Sequence, residues 1–119
     1  MKNKIEITDV KDGLWCHAEI SGDLDAETAD LFEQMIMSLI DGNKKVALDL
    51  EKLRYISSAG LRVILKLSKH AEKTGTKIVI CSAQNMVSDI LDNFGIEEIC
   101  EVYKTFEDVK MKGKTFSDF

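Results

Sequence analysis

The stretch Ser57-Ser58-Ala59-Gly60-Leu61 puts two hydroxyls and a glycine where an apolar strand pattern gives way to a helical one. Ser57 suits an N-cap, because its hydroxyl can accept a hydrogen bond from a free backbone N–H of the first turn. Ser58 then falls in that first turn, and a phosphate on it would sit near unpaired N–H groups at the positive end of the helix. Gly60 lowers helix propensity by up to about 1 kcal/mol relative to Ala. It also removes bulk beside Ser58, leaving room for another protein's backbone. Taken alone, the pair is either a helix cap or a modifiable contact site. Asp23 and Asp25, in the preceding loop Ser21-Gly22-Asp23-Leu24-Asp25, are also open to two readings. They are a cap and a solvated charge, or they are anionic groups beside Ser58 that repel an added phosphate and face a basic partner.

Other chemistries lack their parts. A nucleophilic Ser58 needs a base within hydrogen-bond reach. The two histidines are His17 and His70. His70 stands twelve residues further along the same predicted helix, roughly 18 Å away at 1.5 Å per residue, and His17 lies in mid-strand. The segment is not a Gly-x-Ser-x-Gly elbow, so no enzymatic activity is expected. Asp49 is followed by apolar Leu50, and no acidic pair closes the first strand as a phospho-accepting receiver domain requires. No Gly-x-x-x-x-Gly-Lys loop is present for a nucleotide, and Trp15 and Tyr55 read as packing aromatics. Cys16, Cys81 and Cys100 sit singly in apolar stretches, which reads as reduced buried thiols rather than a zinc site. No cofactor and no metal are expected.

The elements that must position these loops follow from periodicity. Ile5, Ile7 and Val10 begin a strand, Asp12-Gly13 is a hairpin signal, and Leu14, Cys16, Ala18 and Ile20 alternate with Trp15, His17 and Glu19. Asp25 as N-cap opens a helix carrying Leu31, Phe32, Met35, Ile36, Leu39 and Ile40, ended by Gly42. Val46 to Leu50 is a strand apolar on both faces. The helix after Ser57 presents Leu61, Ile64, Leu65, Ser68 and Ala71 inward and stops at Gly75. Ile78 to Cys81 is a strand. Asn85 caps a helix with Val87, Ile90, Leu91 and Phe94 inward, and Ile99, Cys100 and Val102 form a last strand. Thr105 with Asp108 starts a short final helix. The order is β-β-α-β-α-β-α-β-α, an α/β fold with a mixed, mostly parallel sheet and helices mainly on one side.

The 119 residues, 45% of them hydrophobic, fit one domain spanning 1–119, with a core at about 4–111 and a frayed tail at 113–119. A net charge of −5 argues against direct nucleic-acid binding. No apolar run is long enough to span a membrane. No signal peptide or lipidation motif is recognised, so a cytoplasmic location is expected.

Three motifs in order, Gly22-Asp23-Leu24-Asp25-Ala26-Glu27-Thr28-Ala29, Val46-Ala47-Leu48-Asp49-Leu50 and Tyr55-Ile56-Ser57-Ser58-Ala59-Gly60-Leu61, resemble the STAS family. That name covers sulfate transporters and anti-sigma factor antagonists. Lys77 to Cys81 and Phe94-Gly95-Ile96 extend the likeness over about residues 4–111. The resemblance implies a one-domain, non-catalytic anti-sigma factor antagonist that works by partner switching. Its unmodified form binds a serine-kinase anti-sigma factor and frees the sigma factor. The kinase, using ATP, phosphorylates the antagonist and sheds it, and a serine phosphatase resets the switch. Counting back from Gly60-Leu61, the family's phosphorylated serine falls on Ser58. The partner-binding residues then implied are Asp23, Asp25, Ser57, Ser58, Ala59, Gly60 and Leu61. Two positions depart from the family pattern: Ser57 replaces an Asp, removing a charge and adding a second hydroxyl, and Ala59 replaces Ser or Thr. The alternatives are a non-switching STAS module of a transport or signalling assembly, and a small-ligand domain using a groove between Asp25 and Ser58.

Overall fold

A computed structural model describes residues 3–117. The strands are β1 (Ile5–Asp12), β2 (Trp15–Leu24), β3 (Lys45–Ile56), β4 (Lys77–Cys81) and β5 (Glu101–Tyr103). The helices are α1 (Ala29–Gly42), α2 (Ser58–Thr74), α3 (Asn85–Phe94) and α4 (Phe106–Ser117), and a 3₁₀ turn at Ile96–Glu98 precedes β5. The sheet order is β1-β2-β3-β4-β5, with β1 antiparallel to β2 and every later pairing parallel. The register Val46↔Ile78 to Asp49↔Cys81 forms the parallel centre expected from the two apolar runs.

Each crossover steps to the next strand in one direction, so right-handed connections put α1, α2 and α3 on the same face. There Phe32, Ile36 and Ile40 of α1, Ile64 and Leu67 of α2, and Val87 and Leu91 of α3 bury against Ile20, Leu48, Leu50 and Ile80. The helix α4 covers the other face, where Phe106 and Val109 pack on Trp15, Ala47, Val79 and Cys81. The sheet is thus covered mainly on one side, and β3 is apolar on both faces because α4 closes the second.

Several side chains sit differently from their periodic expectation. Leu14 falls in the hairpin turn and is 72% exposed, whereas Trp15 is buried under α4. Phe94 ends α3 at 40% exposure, and on α2 the buried stripe includes Val63 and Leu67 while Leu65 is only half-buried. α1 begins at Ala29 with Thr28 as N-cap, so Asp25 precedes the helix, and α3 starts on Asn85 itself after Gln84. α4 continues past Gly113 to Ser117, beyond the expected limit of the core, and residues 118 and 119 lie outside the described residues. The longest departure matters most: β3 runs past Leu50 to Ile56 and delivers Ser57 directly from a strand end.

Candidate functional site

The carboxyl ends of parallel strands are where α/β sheets gather function, and here β2 and β3 end side by side with Leu24 paired to Ile56. One residue further, the Ser57 N–H donates to the Leu24 carbonyl at 2.9 Å. This bond joins the two candidate loops through the backbone. Gly22 helps to shape the first of them. Its φ is +108°, and a Cβ there would lie 2.2 Å from the Lys4 carbonyl oxygen. Only glycine lets the N-terminal segment pass so close, and the Asp23 N–H donates to that carbonyl at 2.9 Å.

Ser57 is extended, and its hydroxyl accepts from the Gly60 N–H at a long 3.5 Å. Its carbonyl accepts the first helical bond, from the Leu61 N–H at 3.0 Å. Ser57 is therefore the cap, as its spacing indicates, and Ser58 is the first residue of α2. Ser58 is exposed, and no described residue hydrogen-bonds its hydroxyl. Ser57 and Ala59 beside it are half-buried.

Gly60 and Leu61 lie beneath this surface rather than on it. Gly60 is buried, and a Cβ there would meet Leu24 Cγ at 2.7 Å and Ile56 Cγ1 at 3.0 Å. The room that the glycine leaves is filled from within by Leu24 and Ile56, which lets the start of α2 press onto the ends of β2 and β3. Leu61 is buried too.

The two aspartates also have work inside the fold. Asp25 is buried; its Oδ1 accepts from the Glu27 N–H at 2.9 Å and the Thr28 N–H at 3.2 Å, and its Oδ2 accepts from the Asn3 amide. Thr28 answers by accepting from the Asp25 N–H at 3.0 Å and donating to the Asp23 carbonyl at 2.7 Å. The Asn3 amide, followed by the backbone donors, holds the Asp25 carboxyl below the usual carboxylate range, against the opposing effect of its burial. Asp25 is thus the acceptor that fixes the turn into α1. Asp23 is partly exposed, and its Oδ2 pairs with Arg54 Nη2 at 3.2 Å.

Arg62, absent from the motifs, and several residues named in other roles complete the surroundings. Arg62, one turn beyond Ser58, points its Nε at the Ser58 carbonyl, 3.4 Å away. Its i+4 spacing from Ser58 was the available signal. Tyr55 is 40% exposed rather than packed, and a separate groove of about 390 Å³ lies between the β3 segment 51–54 and Gln84, Asn85 and Met86 at the start of α3. Neither histidine points its chemistry at Ser58. His17 Nε2 lies 2.7 Å from Asp49 Oδ2 with its ring stacked on Phe106, and His70 Nε2 lies 2.8 Å from Asp41 Oδ1. Cys81 and Cys100 have thiols pushed up by burial to about 12 and about 11. Among the described residues no cluster of His, Cys, Asp or Glu could hold a metal, and no helix is long and apolar enough to cross a membrane.

This arrangement offers one exposed, unengaged hydroxyl on a rigid platform. Comparison with known proteins agrees with the architecture. BtrV of Bordetella bronchiseptica, a protein named as an anti-sigma factor antagonist, is 31% identical over 97 residues, which span 81% of this chain and 84% of BtrV. The crystal structure of an anti-sigma factor antagonist from Mycobacterium paratuberculosis superposes with a TM-score of 0.82 at 19% identity, covering 92% of this chain and 93% of that one. The anti-sigma factor antagonist SpoIIAA in its unphosphorylated form gives a TM-score of 0.72 at 13% identity over 91% and 97% of the two chains. The Bacillus cell fate determinant SpoIIAA in its phosphorylated form gives 0.63 at 12% identity over 92% and 98%. The STAS domain profile matches residues 6–109, nearly the whole chain, and this chain therefore belongs to the STAS domain family.

Proposed function

We propose that this protein is an anti-sigma factor antagonist whose affinity for a serine-kinase anti-sigma factor is set by phosphorylation of Ser58. The observation that carries the reading is the placement of Ser58: first residue of α2, exposed, and with a hydroxyl that no described residue engages. Modification at such a position changes surface charge without breaking a structural hydrogen bond. The relative BtrV, matched over most of its length, supports an antagonist over a STAS module of a transport assembly. SpoIIAA, known in both unphosphorylated and phosphorylated forms, supports a phosphorylation switch on this fold.

The energetics favour an on–off response. A phosphoserine adds roughly −1.5 to −2 charges at neutral pH. A partner surface shaped for a hydroxyl supplies that charge no counter-charge of its own and would strip its water, a penalty of about 3–4 kcal/mol. At about 1.4 kcal/mol per tenfold, affinity falls two to three orders of magnitude. The unmodified form holds the kinase and frees the sigma factor; the modified form releases the kinase; a serine phosphatase restores the first state. The protein then needs no catalytic group of its own and acts in the cytoplasm, where sigma factors are. Ser57 is the weaker acceptor in this scheme, since its hydroxyl already serves the Gly60 N–H.

The direct test is incubation with the organism's own serine-kinase anti-sigma factors and ATP, read by phosphopeptide mass spectrometry. A single phosphate on Ser58 is expected, absent in Ser58→Ala. A phosphate confined to Ser57, or none from any of these kinases while they modify other antagonists, would overturn the assignment.

A further inference from the structure

The sequence holds only two arginines against fourteen lysines, and they stand four residues to either side of Ser58. Arg54 is engaged by Asp23. Arg62 differs: it is exposed, it forms no ion pair with a described residue, and its Nε rests at the long distance of 3.4 Å from the Ser58 carbonyl. The next cation along α2, Lys66, is already held by Glu33 at 2.8 Å. Arg62 is thus a guanidinium in reserve, one helical turn from an exposed hydroxyl at the helix start.

We propose that Arg62 is the positioning residue for phosphorylated Ser58, folding back along α2 to hold the phosphate with two parallel N–H···O bonds. This rests on Ser58 being the phosphorylated residue. Three physical points carry it. Side chains at i and i+4 are neighbours on a helix, and an acidic group N-terminal to a basic one is the favourable orientation. The guanidinium fork matches two phosphate oxygens, which an ammonium does not. The first turn of α2 carries no acidic side chain to compete for Arg62. The phosphate is thereby kept on the antagonist's own surface, away from any cation of the partner. Arg62 also supplies a counter-charge on the far side of Ser58 from position 57, where Ser57 stands in place of the family's aspartate.

The test uses the full chain with phosphoserine installed at position 58 by genetic encoding, so that no kinase is needed. Phosphorus NMR then follows the phosphate's second ionisation in wild type, Arg62→Gln and Arg62→Lys. Arg62 favours the doubly charged phosphate, so Arg62→Gln is expected to raise the midpoint by about 0.1–0.4 pH unit, with Arg62→Lys in between. The phosphorylated wild type is also expected to melt at a higher temperature than phosphorylated Arg62→Gln, while the two unphosphorylated proteins melt together. Identical midpoints in all three proteins would overturn the proposal. Binding of the same phosphorylated wild type to the kinase partner reports on the switch separately: a lost interaction with unchanged midpoints rejects Arg62 and keeps the switch, whereas full-strength binding rejects the switch itself.

Discussion

Gly60 shows how one residue can couple the surface around Ser58 to the core. The space a Cβ would take at Gly60 is filled by Leu24 and Ile56, the last residues of β2 and β3, whose Cγ and Cγ1 would lie 2.7 Å and 3.0 Å from it. Helix propensity alone favours alanine here by up to about 1 kcal/mol. Overpacking against two buried side chains costs typically about 1–3 kcal/mol, and Leu24, fully buried, has nowhere to go. Gly60→Ala should therefore lower unfolding stability by about 1–2 kcal/mol in urea titration; a more stable variant would mean that the start of α2 is loosely seated. The serines were legible in the sequence because capping is local chemistry: Ser57 precedes a helical pattern and finds its donor three residues on. The inward role of Gly60 was not legible, and for Asp25 the local capping of the Glu27 and Thr28 N–H groups was legible but its tie to Asn3 was not. What was missed depends on Leu24 and Ile56 in one case and on Asn3 in the other, and no local pattern announces such neighbours.

Among the elements, α4 bears the second hydrophobic cluster almost alone. Phe106 stacks on the His17 ring at 3.8 Å between centroids and is buried with Trp15, Val79 and Cys81. Phe106→Ala removes most of that contact. A loss of about 3 kcal/mol is expected in denaturant unfolding. Affinity of the folded variant for the proposed kinase partner should be little changed, because α4 lies on the sheet face opposite α2, which carries Ser58. A large loss of affinity with unchanged stability would place the partner on α4 instead. Element order and type were readable from strict period-two and helical spacing, and the capping pair Thr105 and Asp108 forms as its spacing indicates, with the Asp108 N–H 3.1 Å from Thr105 Oγ1. What escaped was the extension of β3 through Glu51, Lys52 and Arg54. These polar residues look like a loop, yet Lys52, Leu53 and Tyr55 pair with the end of β2 across two register shifts. Backbone pairing with a neighbour, which side-chain pattern does not encode, keeps the strand going. Trp15 escaped for a related reason: each face of the sheet has its own cover, and periodicity names two faces without saying what lies on them, whereas Phe94 is exposed at the last turn of α3, where helical spacing outlasts the surface it packs on.

At the scale of the molecule, the chain presents a sheet with α1–α3 on one side, α4 on the other, and one exposed unengaged serine where two parallel strands end together. The groups that hold the fold at this end of the sheet are separate from the hydroxyl that the proposed switch would modify. The backbone bond from Ser57 to Leu24, the cap on Gly60 and the Asp25 turn hold the platform, whereas the Ser58 hydroxyl holds nothing. Charge added there should change recognition and leave the fold intact. Calorimetric titration of wild type and Ser58→Asp against the cognate serine-kinase anti-sigma factor, with the thermal midpoint of each free protein, tests this most directly. One carboxylate carries less charge than phosphate and is shorter, so Ser58→Asp should weaken binding by about 1–3 kcal/mol. Its midpoint should hold or rise slightly, since a negative charge in the first turn of a helix is favourable by about 0.3–1 kcal/mol. Equal affinity for the two proteins would contradict the account and leave Ser58 as a residue of the helix start alone.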